Sequence, residues 1–340
     1  MTATVPPGSE LLGHMALGEP EFETRITESL IATEKRLLDC VSSAPDPRVA
    51  ALTAHLAAAG GKRLRPLLVL LGAEFGESFR DGVTEAAVIA EIVHISSLYH
   101  DDVMDGATMR HGVQSVNARW GERLAVAGGN WLLARAARLA SGLGPEVVRF
   151  NAEVASLLVA GQLGELMGPG PDEDPVAHFF QVTEGKTAAL FSMATAIGAL
   201  QAGAPDRYCQ ALTEYGKQLG VAFQISDDLL DLDAPAARTG KEQGKDLMAG
   251  VPSLPVLLAR QDTSPEGAEL RELLADGPVE GAGARQRALE LFRASPAPAR
   301  ARDLLHGRLD AARAELALLP QCPARRALDA LCGYVALRTG

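Results

Sequence analysis

Few segments of this chain show the strict alternation of β-branched and polar residues that marks a strand. Its apolar positions fall instead in long runs rich in Ala, Leu, Arg and Glu, the composition of helices, so the fold class reads as all-α. These runs stop where Gly and Pro cluster, at 45–47, 72–82, 142–145, 168–175, 203–205, 233–252, 264–267, 277–283 and 295–298. Most intervals between the breaks are long enough for helices of several turns, and no fixed-period repeat points to a solenoid. Residues 1–21, with Pro6, Pro7 and Pro20, read as a flexible segment. From Phe22 onward no linker is visible, and the last third is amphipathic, Ala- and Arg-rich and chemically quiet; residues 22–340 therefore read as one domain.

Two of the helical runs end in acid. The run from about Val83 closes with His94-Ile-Ser-Ser-Leu-Tyr-His-Asp-Asp-Val-Met-Asp105. Asp101 and Asp105 share one helical face, with Cβ atoms about 5–6 Å apart. Two carboxylates that close repel each other, and the negative end of the helix dipole adds to the cost unless a cation sits between them. Magnesium suits the place, because it is a hard ion bound by a few carboxylates plus water and phosphate oxygens. The same pattern returns in Gln224-Ile-Ser-Asp-Asp-Leu-Leu-Asp231, where Asp227 and Asp231 share a face and Gln224 lies one turn earlier. A solvated helix end would explain one such cluster alone. Both, however, are embedded in apolar sequence, Ile95 to Tyr99 and Val221 to Ile225, where unpaired solvated charge is not expected.

Charge narrows the functional classes. The 340 residues carry 32 Lys and Arg against 43 Asp and Glu, a net −11 that argues against bulk nucleic-acid binding. Cys40, Cys209, Cys322 and Cys332 form no C-x-x-C pair and suggest neither zinc nor a disulfide framework. No signal peptide is recognisable, and the low-charge stretch Thr187 to Pro205 reads as a buried helix rather than a membrane span; a cytoplasmic protein is expected. Against this acidic background, Gly60-Gly-Lys-Arg-Leu-Arg-Pro66 concentrates Lys62, Arg63 and Arg65 at a glycine hinge, a composition suited to diphosphate oxygens as well as to a solvated turn. Further cations follow at Arg110, Lys186, Lys241 and Lys245. Gly185-Lys-Thr187 lacks the upstream glycine and preceding strand of a P-loop, which removes nucleotide hydrolysis. His94 lies two turns before Asp101 on nearly the same face, a placement that favours a diphosphate contact over a core histidine; His100 and His111 flank the region without a zinc spacing.

Two Asp-Asp-x-x-Asp helices, the Gly-Gly-Lys-Arg-Leu-Arg-Pro element and the Lys-Thr between them resemble the trans-isoprenyl diphosphate synthase (polyprenyl synthetase) family. Asn117-Ala-Arg-Trp120, Gly161-Gln162 and the closing residues 334–340 resemble its actinobacterial long-chain branch. The resemblance implies helices around a central active-site cavity, a homodimer, and condensation of isopentenyl diphosphate with an allylic diphosphate by ionisation, condensation and elimination. It further implies that Asp101, Asp102, Asp105, Asp227, Asp228 and Asp231 hold magnesium, roughly three ions per site with manganese able to substitute. Of these, Asp101, Asp102, Asp105, Asp227 and Asp228, with Lys186, would carry catalysis. Arg110, Lys186 and Lys241 would contact the allylic diphosphate. Lys62, Arg65 and His94 match positions that bind isopentenyl diphosphate, with Arg63 their neighbour and His111 beside Arg110. Gln162, Thr187 and Gln224 match polar positions of the cavity. No protein nucleophile is needed, in keeping with the absence of a Ser, Cys or His dyad.

Three positions depart from the family pattern: His111 stands where Arg is usual, Asn130 where Gly-Asp is usual, and Val251 where many members carry Lys. Because imidazole titrates near neutrality, isopentenyl diphosphate binding is expected to weaken from about pH 6 to 8. Chain length is expected to depend on Ser96 and Ser97, with Val93 and Ile89 deeper along the same helix. Both serines are small where short-chain members carry an aromatic, which implies by analogy a product of about seven to ten isoprene units, with geranylgeranyl diphosphate as the alternative. A terpene cyclase would need no Lys62, Arg65 and His94 and would want more than 4% aromatic residues; a non-catalytic synthase subunit would have no use for two acidic clusters. Release of so apolar a product implies peripheral contact with a membrane.

Overall fold

The structure is a computed structural model that describes residues 9–15, 18–233, 244, 247, 250–274, 279 and 281–338. In chain order the helices are α1 Ser9–Met15, α2 Pro20–Val41, α3 Pro47–Thr53, α4 His55–Ala58, α5 Leu64–Ala73, α6 Val83–Met104, α7 Val116–Trp120, α8 Glu122–Ser141 and α9 Pro145–Met167. They continue as α10 Pro175–Thr183, α11 Ala189–Gln201, α12 Asp206–Asp233, α13 Leu254–Arg260, α14 Pro265–Leu273, α15 Ala282–Ala294, α16 Ala297–Leu316 and α17 Pro323–Leu337. The strands among the described residues are β1 Met109–Arg110 and β2 Val113–Gln114, an antiparallel pair. The fold is all-α, as the apolar runs require. Part of the segment expected to be flexible is in fact helix: α1 buries Leu11, Leu12 and Met15, three apolar positions on one side of two turns.

By contact the chain forms two compact units. One comprises Met1–Leu158, Ala189–Gly216 and Glu315–Leu331; the other comprises Val159–Ala188, Lys217–Ala314 and Cys332–Gly340. In the first, α6 is the central rod, packed by α2, α5, α8 and α11. Ala86 through Val93 are all buried, the signature of a helix surrounded by protein. Its neighbour α5 crosses α11 at unusually short range. A methyl on Gly72 would lie 2.2 Å from the Thr195 carbonyl oxygen, and one on Gly198 would lie 2.0 Å from that of Val69. Each glycine thus receives the other helix's backbone, which is why no larger residue fits there.

In the second unit, α10 is capped by Asp174, whose carboxylate accepts from the Val176 N–H, and runs into a π turn over Glu184–Ala188. α13 packs on α10 and α14, and α14 on α15. The end of α17 is tied to α12 by the Ser226 hydroxyl, which donates to the Val335 carbonyl at 3.1 Å. The four cysteines carry no disulfide. No helix among the described residues is long and apolar enough to cross a membrane.

Candidate active site

The first acidic cluster closes α6, and its three aspartates have different surroundings. Asp101 is half-buried, Asp105 caps the helix in the open, and Asp102 is fully buried. Arg110 donates through Nε at 2.8 Å and Nη2 at 2.6 Å to a single oxygen of Asp102, while the other oxygen is buried with no hydrogen-bond partner among the described residues. Arg110 is brought back over the helix by the β1–β2 hairpin. The hairpin's turn is His111-Gly112, with φ of 50° and 78°, and a two-residue turn with both φ positive matches the right-handed twist of its strands. Histidine is among the few side chains enriched in that region. Asn117 locks the base, its Nδ2 donating to the carbonyls of Asp102 at 3.1 Å and Ala107 at 2.9 Å.

Beside this end of α6 lies the Gly60–Pro66 element, and here the cations divide. Arg63 is buried in a left-handed conformation, φ 48°. Its guanidinium forks onto Glu34 of α2 at 2.6 and 2.8 Å, reaches Glu91 of α6 at 3.0 Å, and donates to the Ala57 carbonyl at 2.7 Å. Arg63 is therefore spent inward, holding the loop; Lys62 on one side is exposed, and Arg65 on the other lies 5.3 Å over the Phe191 ring. The hairpin rests on this loop, since a methyl on Gly61 would lie 3.4 Å from Arg63 Nη1 and 3.8 Å from His111 Cε1. His94 senses the whole group. Desolvation, together with the charges of Arg65, His111, Arg63 and Arg110, holds its imidazole well below the ordinary range. His111 is also lowered, by burial and then by Arg110, with Glu91 and Asp102 acting in the opposite sense.

Residues 93–97 show two environments where one was expected. Ser96 is fully buried and donates to the Gly129 carbonyl of α8 at 2.9 Å, so it faces that helix. Ser97 is half-buried, and its hydroxyl returns to the His94 carbonyl of its own helix at 2.8 Å. Val93 and Ile89 are buried. His100 points its Nε2 edge at α8, where a methyl on Gly129 would come within 2.3 Å of that nitrogen.

In the second unit, Gly161 of α9 lets the π turn approach, for a methyl there would lie 2.7 Å from the Lys186 nitrogen. The Lys186 ammonium meets Glu165 at 2.5 Å. Both amide atoms of the adjacent Gln162 are buried without a hydrogen-bond partner among the described residues, a costly state that a bound polar group would relieve. Thr187, Gln224 and Asp228 form a relay. The Thr187 hydroxyl donates to Gln224 at 3.1 Å, Gln224 donates to one oxygen of Asp228 at 2.9 Å, and the Leu254 N–H donates to the other at 3.1 Å. Asp227 accepts from Arg338 at 2.5 Å, and Asp231 is half-buried. Lys241 and Lys245 lie outside the described residues. Of the remaining departures, Asn130 is exposed on α8 and Val251 is 42% exposed.

In both clusters, then, the second aspartate is buried and bonded to protein, whereas the outer two are half-buried or exposed, Asp227 being paired with Arg338. Spacing had grouped all six alike and had missed Glu34, Glu91 and Arg338. Glu91 and Arg338 stand alone in apolar stretches, whereas Glu34 lies in the polar run Thr33-Glu34-Lys35-Arg36 and gives no signal. Among the described residues no three His, Cys, Asp or Glu side chains gather around one point. The outer carboxylates are hard oxygen donors, the set suited to magnesium completed by water and phosphate oxygens.

An all-α chain with two such acidic helices and a pinned cationic loop carries donors suited to diphosphate oxygens and the hard cations that accompany them. The family comparison agrees: the polyprenyl synthetase model matches residues 46–291, and the chain belongs to that family of prenyltransferases. It is 41% identical over 325 residues to nonaprenyl diphosphate synthase of Mycobacterium tuberculosis, covering 95% of this chain and 96% of the relative. Among solved structures it resembles geranylgeranyl pyrophosphate synthase from Corynebacterium glutamicum, complexed with calcium and isoprenyl diphosphate, with TM-score 0.86, 39% identity and coverage of 95% and 99%. A decaprenyl diphosphate synthase from Rhodobacter capsulatus gives TM-score 0.83 at 32% identity, with coverage of 94% and 99%.

Proposed function

We propose that this chain condenses isopentenyl diphosphate with an allylic diphosphate and makes a long-chain polyprenyl diphosphate. The observation that carries the reading is the acidic end of α6 in the first unit, where Arg110 is held on the buried Asp102 and the His111 turn rests on the loop of Lys62 and Arg65 that Arg63 pins. Lys62, Arg65 and His111 bind the isopentenyl diphosphate, with His94 as a hydrogen-bond partner. Asp101 and Asp105 in one cluster, and Asp227 and Asp231 in the other, hold magnesium; Asp102 and Asp228 hold the helix ends in shape. Magnesium bound there supplies Lewis-acid stabilisation of the departing allylic diphosphate. In the second unit Lys186 and Gln162 are donors for diphosphate oxygens, and Thr187 and Gln224 keep Asp228 oriented. The apolar flank of α6, Val93 and Ile89, excludes water from the allylic cation.

Support for a long product comes from relatives named for nonaprenyl and decaprenyl diphosphate and from the small side chain at Ser97. One face of α9 exposes Val159, Leu163, Leu166 and Met167, 53–82% accessible, at i, i+4, i+7 and i+8. Such a stripe on one helix is the patch a second copy would cover, in keeping with a homodimer. The test is incubation with labelled isopentenyl diphosphate, magnesium and geranyl, farnesyl or geranylgeranyl diphosphate in turn. Products longer than four isoprene units are expected on chromatography. Arrest at geranylgeranyl diphosphate would select the alternative, and absence of any elongated product would remove the reading.

A further inference from the structure

The last described turn of the chain carries a charge that the reading above leaves unused. Arg338 is only 18% exposed, and its Nη2 lies 2.5 Å from Asp227 Oδ1. The guanidinium is 4.6 Å from the centre of the Phe223 ring and 6.0 Å from that of Tyr334. Its Nη1 is buried with no hydrogen-bond partner among the described residues. The turn is not loose, because Ser226, next to Asp227, is bonded to the Val335 carbonyl. All of these residues belong to the second unit.

A guanidinium walled by aromatic rings has lost much of its water, and a donor left over inside is a standing cost. What would satisfy it is an oxyanion, the ligand that the planar fork of arginine matches best. Asp227, meanwhile, is an outer carboxylate of the second cluster. A guanidinium and a divalent ion compete for the charge of one carboxylate, and both beside it repel each other unless an anion is added. We propose that Arg338 neutralises Asp227 while no metal is bound and hands its donors to the diphosphate once metal and substrate arrive. The C-terminal turn is thus a positioning element that couples metal occupancy to diphosphate binding. The proposal rests on the reading that Asp227 holds metal.

The test uses the full-length chain as wild type, Arg338→Gln and Arg338→Lys. Manganese binding is followed by electron paramagnetic resonance, first alone and then with inorganic pyrophosphate. Arg338→Gln is expected to bind manganese alone about three- to tenfold more tightly, and pyrophosphate at saturating manganese about tenfold more weakly. Arg338→Lys, which keeps the charge, falls between and carries the test if the Gln variant does not fold. The opposite signs are the discriminating feature. A merely structural arginine would weaken both affinities together, and that outcome, or no change in either, overturns the proposal. A wild type that shows the exchange but makes no prenyl product overturns the functional reading alone. A wild type that makes product, with variants unchanged in both affinities, overturns the exchange alone.

Discussion

The two acidic clusters have the same spacing but are neutralised in different ways. In the first, the buried Asp102 is answered by Arg110, eight residues away, presented by a hairpin that begins almost where α6 ends. In the second, a side-chain amide and a backbone N–H donate to the buried Asp228. The outer Asp227 of that cluster meets a cation, Arg338, from 111 residues along the chain. The first cluster is therefore organised by its own local sequence and the second by the chain's far end. A motif repeated in sequence does not carry its electrostatic partner with it.

The comparison is tested most severely at the outer positions. Asp101→Asn and Asp227→Asn should each lower kcat by about a thousandfold if, as proposed, each carboxylate holds metal, while thermal midpoints stay within a few degrees. Steady-state kinetics and thermal melts check this, and a large loss of stability instead would place those carboxylates in the scaffold. At the inner positions the effect shifts from turnover to stability, and the clusters should differ. Asp102→Asn leaves Arg110 facing an amide and should cost about 2–4 kcal/mol, below the full value for a broken buried pair because Arg110 is 30% exposed. Asp228→Asn should cost only about 1 kcal/mol, because amide flips and a hydroxyl rotation let the Thr187–Gln224–Asp228 hydrogen bonds reverse. Denaturant melts of the two variants, compared directly, give the answer; equal losses would erase the distinction.

Chain length offers a smaller effect. Ser97→Phe should shorten the product with the fold intact, whereas Ser96→Phe should lower the thermal midpoint, because it forces a ring against the Gly129 carbonyl. Product chromatography beside a melt separates the two. The smallest effect is that of His111. Its imidazole in the free protein titrates below the ordinary 6.5, and a bound diphosphate raises it. Affinity for isopentenyl diphosphate is then constant below the free value and falls as pH rises from there to the value in the complex. KM should therefore begin to climb below pH 6.5 rather than only from the neutral range. His111→Arg should flatten the profile, and parallel slopes for variant and wild type would remove His111 from the site.

Much of this was legible in the chain. Gly and Pro clusters marked most helix ends, because those residues act locally, and the acidic pairs declared themselves by helical spacing. Long-range partnership was not legible. Arg63 looked like one more cation of a basic loop, yet Glu34 and Glu91 on two other helices turn it inward. Arg338 was hidden in a stretch read as chemically quiet. The roles within Asp-Asp-x-x-Asp were equally hidden, since helix periodicity gives each side chain a direction but does not say what waits there. The π turn at Glu184–Ala188 had no signature either; its presence depends on Gly161 of another helix allowing the backbone in.

The crossing of α5 and α11 has a consequence for precision. Arg65 stands on the first turn of α5, and the ring beneath it, Phe191, stands on α11. Where the two rods touch at Gly72 and Gly198 there are no rotamers to adjust, only peptide against peptide, so the contact works like a machined stop that fixes where the guanidinium lies over its ring. A single methyl group seven positions from Arg65 would pry the stop open. The mechanical tolerance of the Arg65–Phe191 contact is thus set by residues that have no chemistry of their own.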